Sequence, residues 1–210
     1  LLEQFWLAGI LLLVVVFQPE IRQALADFGK SPLLAKVLFS QSSGFIDEII
    51  SAVKKLAGDK IGALIVLEQE TGLKNCVSTG IPIYGEVSEE LLMSIFRVDS
   101  PLHDGAVIVS ADGKISAAKC VLPMSENLQI SKSYGMRHRA AAGLSETSDA
   151  IIIVVAERTG GVSVARNARL DPDIDVDKLG VELRNLYHHK AKKSLLRQIS
   201  EPASGGRRAA

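Results

Sequence analysis

Residues 101–122 read PLHDGAVIVSADGKISAAKCVL, and the way this stretch folds sets the architecture around it. Two apolar runs, residues 106–110 (AVIVS) and 114–122 (KISAAKCVL), flank Asp112-Gly113. Apolar runs on either side of an Asp-Gly dipeptide are the strongest short-range hairpin signal, because these residues tolerate the positive φ angles that a tight turn between twisted strands requires. Pro123 ends the second strand. Ahead of the hairpin stands Pro101-Leu102-His103-Asp104-Gly105-Ala106; after a polar, irregular stretch comes Gly135-Met136-Arg137-His138-Arg139-Ala140-Ala141. The hairpin is expected to bring the two ends onto one side of a sheet, an acid in a Gly-bounded turn facing a cationic triplet.

The neighbouring segments supply the rest of that sheet and its helices. Residues 61–67 (IGALIVL) and 150–155 (AIIIVV) are short β-rich runs without polar alternation, as expected of strands buried on both faces. Gly160-Gly161 turns the chain into residues 162–166, the expected antiparallel neighbour of 150–155. Phe45, Ile46, Ile49, Ile50, Val53, Leu56 and Ala57 recur at helical spacing, and Gly58 closes that helix. Ser88 offers an N-cap to a second helix with Glu89 and Glu90 in its first turn and Leu91, Leu92, Ile95 and Phe96 on its buried face. Residues 137–144 are Ala-rich and predict a helix, as do residues 175–193, Asp-rich at the start and Lys/His-rich at the end. Residues 73–87, with Gly80, Pro82 and Gly85, predict short strand pieces and loops. The fold class is α/β, a mixed sheet flanked by helices.

Of the 210 residues, 47% are hydrophobic and 23% charged, and the formal net charge is zero. No global field draws this chain to nucleic acid, and no basic stretch is interleaved with aromatics, so a nucleic-acid partner is excluded. Cys76 and Cys120 lack metal-ligand spacing, lie among apolar neighbours and are expected as buried free thiols. Residues 5–17 (FWLAGILLLVVVF) carry no charge. They are shorter than the ~20 apolar residues of a full span, and the chain starts at Leu1 rather than Met. Residues 1–18 are therefore expected to be the remnant of a transmembrane helix, the alternative being a buried or interfacial helix. Arg22 and Lys30 follow it, which would put the downstream domain in the cytoplasm. Residues 19–44 are expected as a juxtamembrane helix and linker, with the polar Ser40-Gln41-Ser42-Ser43-Gly44 as the linker. Residues 45–199 form the expected catalytic domain, and residues 200–210 a disordered tail.

Three places carry chemistry. Asp104, followed by the small residues Gly105 and Ala106, can hold a divalent metal or polarise a hydroxyl, with His103 beside it; the alternative is an Asp capping a turn. Arg137, His138 and Arg139 open a helix, where cations are unfavourable unless an anion compensates them, and guanidinium forks suit phosphate oxygens. An exposed basic patch or a salt bridge is the alternative there. Glu157 follows the 150–155 strand, where α/β sheets place ligands, and could complete a metal site with Asp104 or be a solvated loop residue.

Pro101-Leu102-His103-Asp104-Gly105-Ala106-Val107-Ile108, then Gly135-x-Arg137-His138-Arg139-Ala140-Ala141-x-Gly143-x-Ser145-Glu146, then Asp149, resemble the paired signature of the diadenylate cyclase (DAC) family over about residues 45–166. Phe17-Gln18-Pro19-Glu20-Ile21-Arg22 resembles the stretch after the last transmembrane helix in that family's membrane-anchored class. The resemblance implies a mixed, mostly antiparallel central sheet and condensation of two ATP into cyclic di-AMP and two pyrophosphates, across a homodimer of face-to-face domains. It implies a divalent metal (Mn, Mg or Co) near His103, Asp104 and Glu157, with Asp104, Arg137, His138 and Arg139 catalytic. Gly105, Ala106, Leu122, Met136, Arg137, Arg139 and Glu157 would bind ATP, Leu122 near the adenine. A membrane-attached regulator and a cytoplasmic sugar-phosphate mutase are the partners it implies. Met136 stands where the family usually has Thr, Ala156 where it has Ser, and Arg158 where it has Glu.

Overall fold

Every residue of the first strand, β1 (Ala63–Leu67), is buried, and alternation sends its side chains to two different places. Ala63, Ile65 and Leu67 join one apolar cluster, Leu64 and Val66 another. A strand covered on both faces belongs in the middle of a layered sheet. In this computed structural model, which describes residues 17–18, 32–127 and 134–200 (side chains at 17–18, 44–127 and 134–189), β1 is the central strand.

The other strands are β2 (Ile81–Glu86), β3 (Ala106–Val109), β4 (Lys114–Cys120), β5 (Ile151–Val155), β6 (Val162–Arg166) and β7 (Arg169–Asp171). They form one seven-stranded sheet in the order β2-β4-β3-β1-β5-β6-β7. Only β1 and β3 run parallel, with Ile65 opposite Val107; every other neighbouring pair is antiparallel. The mixed, mostly antiparallel sheet is therefore present, and residues 106–120 form its hairpin.

Helices cover both faces. α1 (Pro32–Gly58), α3 (Glu89–Phe96) and α5 (Val176–Ser200) pack Ile46, Ile49, Val53, Leu92, Phe96, Leu179 and Leu183 onto the Ile65 face. α4 (Met136–Thr147) lays Ala140, Ala141 and Leu144 on the Leu64 face, near the short α2 (Lys74–Val77). Ser88 caps α3 as expected, its Oγ accepting from the Leu91 amide at 3.2 Å.

Several expectations change. Residues 73–87 resolve into α2 and the edge strand β2, and β7 was not foreseen. Residues 40–44, expected as a linker, are helical within α1. The chain divides into compact units Leu1–Gln41 and Ser42–Ala210. Both cysteines are free; Cys120 is buried, but Cys76 only partly. Among the described residues no helix is long and apolar enough to cross a membrane; the apolar run at 5–17, apart from Phe17, lies outside them, as do the tail residues 201–210.

Candidate active site

Asp104 owes its position to its neighbour. Gly105 has φ +137°, and a Cβ there would lie 2.7 Å from the carbonyl carbon of Lys119. Only glycine lets the turn lie this close to β4, where Lys119 itself has φ +58° and the β3–β4 register shifts. Asp104 thus stands at the head of β3. His103 precedes it with Nδ1 2.6 Å from the Ser100 carbonyl oxygen. A carbonyl can only accept, so Nδ1 is the donor in this contact.

The cationic triplet begins α4 as the sequence predicts. Gly135, the N-cap residue, is extended and supplies no side-chain cap, which leaves amide groups of the first turn without a side-chain acceptor. Arg137 Nη1 donates to Glu157 Oε2 at 3.0 Å. Gly62 makes room for this pair: a Cβ there would fall 2.5 Å from Arg137 Nη1. His138 is buried, its Nε2 3.3 Å from Ser163 Oγ and its ring stacked on Tyr134 with centroids 5.1 Å apart. Burial pushes its pKa below the ordinary value, against the pull of the Asp173 carboxylate. It therefore works near neutral pH as an uncharged hydrogen-bonding group. Arg139 differs: its carbonyl accepts from the Ser125 amide at 3.0 Å, and its Nε is buried with no partner among the described residues.

A cavity of about 780 Å³ joins these elements. Of the residues singled out in the sequence, Asp104, Gly105, Leu122, Met136, Arg137, His138 and Glu157 line it together. Ala106 is fully buried in the core instead, and neither His103 nor Arg139 lines the cavity. Leu64, Tyr134, Ser163 and Asp173 also line it and were not anticipated. Ser163 had a signal: it is a polar residue set between Val162 and Val164 in the strand, on the face opposite theirs. Ala156 and Arg158, the departures from pattern, line the cavity as well.

Among the described residues no group of three or more His, Cys, Asp or Glu side chains is placed to hold a metal ion, so His103, Asp104 and Glu157 do not make a closed trio. Glu157 is held by Arg137 instead. What remains is the Asp104 carboxylate on the cavity wall, a hard oxygen donor, with His103 preceding it in the chain. Magnesium-like cations are commonly bound by one or two carboxylates together with substrate phosphates. These residues fit a cation shared with a phosphorylated ligand.

The remaining motif residues are scaffold. Ser125 Oγ donates to Glu146 Oε1 at 2.6 Å, and the Ala168 amide to the Ser145 carbonyl at 2.8 Å. Asp149 accepts from the amides of Glu70 and Thr71, each at 3.0 Å. Burial disfavours its charge, but those amides prevail and hold the carboxyl below its ordinary value.

Residues 50–170 match the family model described as DAC, DisA bacterial checkpoint controller nucleotide-binding. The chain is 42% identical over 182 residues to cyclic di-AMP synthase CdaA of Bacillus subtilis (strain 168), covering 85% of this chain and 66% of that protein. It is 37% identical over 195 residues to diadenylate cyclase of Listeria monocytogenes serotype 1/2a (strain 10403S), covering 91% and 71%. The chain thus spans about two thirds of the length of these relatives. Among solved structures, DacA from Staphylococcus aureus, a double mutant, superposes with a TM-score of 0.66 at 44% identity, covering 68% of this chain and 95% of that one. A hypothetical membrane spanning protein from Bacillus cereus gives 0.60 at 35% identity, covering 77% and 80%.

Proposed function

The chain belongs to the diadenylate cyclase family of nucleotidyltransferases, and from that premise we propose that it condenses two ATP into cyclic di-AMP and two pyrophosphates. The observation that carries the reading is the single cavity in which Asp104, at the head of β3, shares a lining with Arg137, at the uncapped start of α4. Its volume, about 780 Å³, is in the ~300–1,000 Å³ range of small-molecule sites.

In each half-reaction the ribose 3′-hydroxyl of one ATP attacks the α-phosphorus of the other. The new P–O bond forms as the α–β anhydride bond breaks and pyrophosphate departs with that electron pair. Such a transfer needs alignment and charge compensation more than covalent help. Asp104 accepts a hydrogen bond from the attacking hydroxyl and orients it. Arg137, its fork oriented by Glu157, binds phosphate oxygens together with first-turn amides of α4 that no N-cap side chain accepts from. His138, uncharged and held by Ser163 and Tyr134, donates a hydrogen bond without adding charge. Leu64, Leu122 and Tyr134 offer apolar wall to the adenine. When bound by Asp104 with His103, a divalent cation supplies neutralisation of the α-phosphate and a lower hydroxyl pKa.

One cavity holds one ATP, so closure of a ring with two-fold symmetry takes two domains face to face, an isologous dimer. Residues 5–17 anchor the chain to a membrane with the cyclase domain on the cytoplasmic side, in keeping with Arg22 and Lys30.

The test is to incubate the protein with ATP and Mg²⁺, Mn²⁺ or Co²⁺ and separate the products. A cyclic dinucleotide is expected; none with any of the metals sinks the reading. Ala156 and Arg158 on the cavity wall favour a second reading, a nucleotide-binding module with weakened catalysis. Tight nucleotide binding without product selects it.

A further inference from the structure

The charged groups on the cavity wall are net acidic even with every guanidinium counted, so each cation there matters to an anionic ligand. Asp104, Glu157 and Asp173 bring three carboxylates to the lining, against two guanidinium groups, Arg137 and Arg158. His138 adds no cation, because burial lowers its pKa. Arg139 is not in the lining. Arg137 divides its fork between Glu157, at 3.0 Å, and the phosphate oxygens assigned to it above. Arg158 is different: it is exposed, and among the described residues no ion pair or hydrogen bond is made by its side chain. A guanidinium left without a partner on the wall of a site otherwise rich in carboxylates is the available counter-charge for an anionic ligand.

Arg158 also stands where a phosphate tail has somewhere else to bind. It follows β5, next to Glu157, and Glu157 touches Arg137 at the start of α4. The loop after β5 and the uncapped N-terminus of α4 are therefore neighbours across the cavity wall, joined by that ion pair. From this arrangement we propose that Arg158 is a specificity-determining residue of this site, which binds the terminal phosphates of the nucleotide and makes the chain select triphosphates over monophosphates. The proposal rests on the nucleotide reading above and gives it a residue that the motif itself does not contain.

Charge-assisted hydrogen bonds to phosphate are worth about 1.5–3 kcal/mol, so their loss costs roughly tenfold or more in affinity. The experiment is calorimetric titration of the full chain with 3′-deoxy-AMP, 3′-deoxy-ADP and 3′-deoxy-ATP, which lack the attacking hydroxyl and cannot turn over. Wild type is compared with Arg158→Gln and Arg158→Lys, each checked for an unchanged melting temperature. The expected result is that Arg158→Gln weakens the triphosphate about tenfold and the monophosphate less than about twofold, with Arg158→Lys recovering part of the difference. An unchanged ratio of triphosphate to monophosphate affinity in Arg158→Gln overturns the proposal, as does a wild type that binds none of the three. The product assay with ATP reads the cyclase activity separately. Triphosphate selectivity lost in Arg158→Gln, with no cyclic dinucleotide from wild type, keeps this proposal and removes the cyclase reading; product formed with selectivity untouched does the reverse.

Discussion

Gly62 matters through what it lacks. The Arg137 guanidinium occupies the space a side chain at Gly62 would need, with Nη1 2.5 Å from the position of a Cβ. Gly62→Ala pushes the guanidinium away from Glu157, and because that group is the end of a flexible chain the fold can yield. The expected outcome is a fall in kcat/KM of about tenfold or more with a melting temperature within about 3 °C of wild type; steady-state kinetics and a thermal melt check both. Asp104→Asn keeps shape and removes charge, so turnover should vanish while 3′-deoxy-ATP still binds with only a modest loss. His138 supplies a pH signature. Its folded pKa lies below the ordinary 6.5, so below that value the unfolded chain takes up a proton that the folded chain refuses. Its contribution to stability is complete above 6.5 and is lost as pH falls through the depressed folded value. Melting temperatures between about pH 7 and pH 5 should fall more steeply for wild type than for His138→Gln.

Among the elements, the turn between β6 and β7 shows why one strand escaped the sequence. Asn167 and Ala168 connect Arg166 to Arg169 with φ +49° and +59°, the pattern of a two-residue primed turn. Such turns normally announce themselves with Asn-Gly, and alanine in the left-handed region costs about 1–2 kcal/mol. Ala168→Gly should therefore raise stability by about 0.5–1 kcal/mol after the entropy of glycine is subtracted, read as a higher denaturant midpoint. A lower midpoint would contradict the turn assignment. The hairpin at 106–120 was legible for the opposite reason, since Asp112-Gly113 is the residue pair its turn demands. β1 and β5 were legible as unbroken apolar runs, whereas Pro82 and the φ of +53° at Tyr84 interrupt β2, which was legible only as strand pieces among loops. The site followed the same logic. Asp104 and the start of α4 stand out by charge in turn positions, and the structure puts Asp104, Arg137 and His138 on one cavity. Ser163 and Asp173 reach it from β6 and the segment after β7, a tertiary closeness that no local spacing encodes.

At the scale of the molecule, the proposed reaction makes one cavity half of a two-substrate site. If the proposed cyclisation joins two nucleotides symmetrically, the working unit is a pair of chains, and specific activity should fall on dilution as pairs separate. A specific activity independent of protein concentration down to the lowest measurable value would argue for a dimer that does not part, or for a site complete within one chain; sedimentation at the same concentrations tells these apart. The central claim is that Asp104 and the cationic start of α4 form a nucleotidyl-transfer site, and the most direct measurement is the product of ATP turnover by wild type and Asp104→Asn side by side. The account predicts cyclic di-AMP and pyrophosphate in a one-to-two ratio from wild type with a divalent metal, and none from Asp104→Asn. Equal product from both proteins, or no cyclic dinucleotide from wild type with Mg²⁺, Mn²⁺ or Co²⁺, would contradict it.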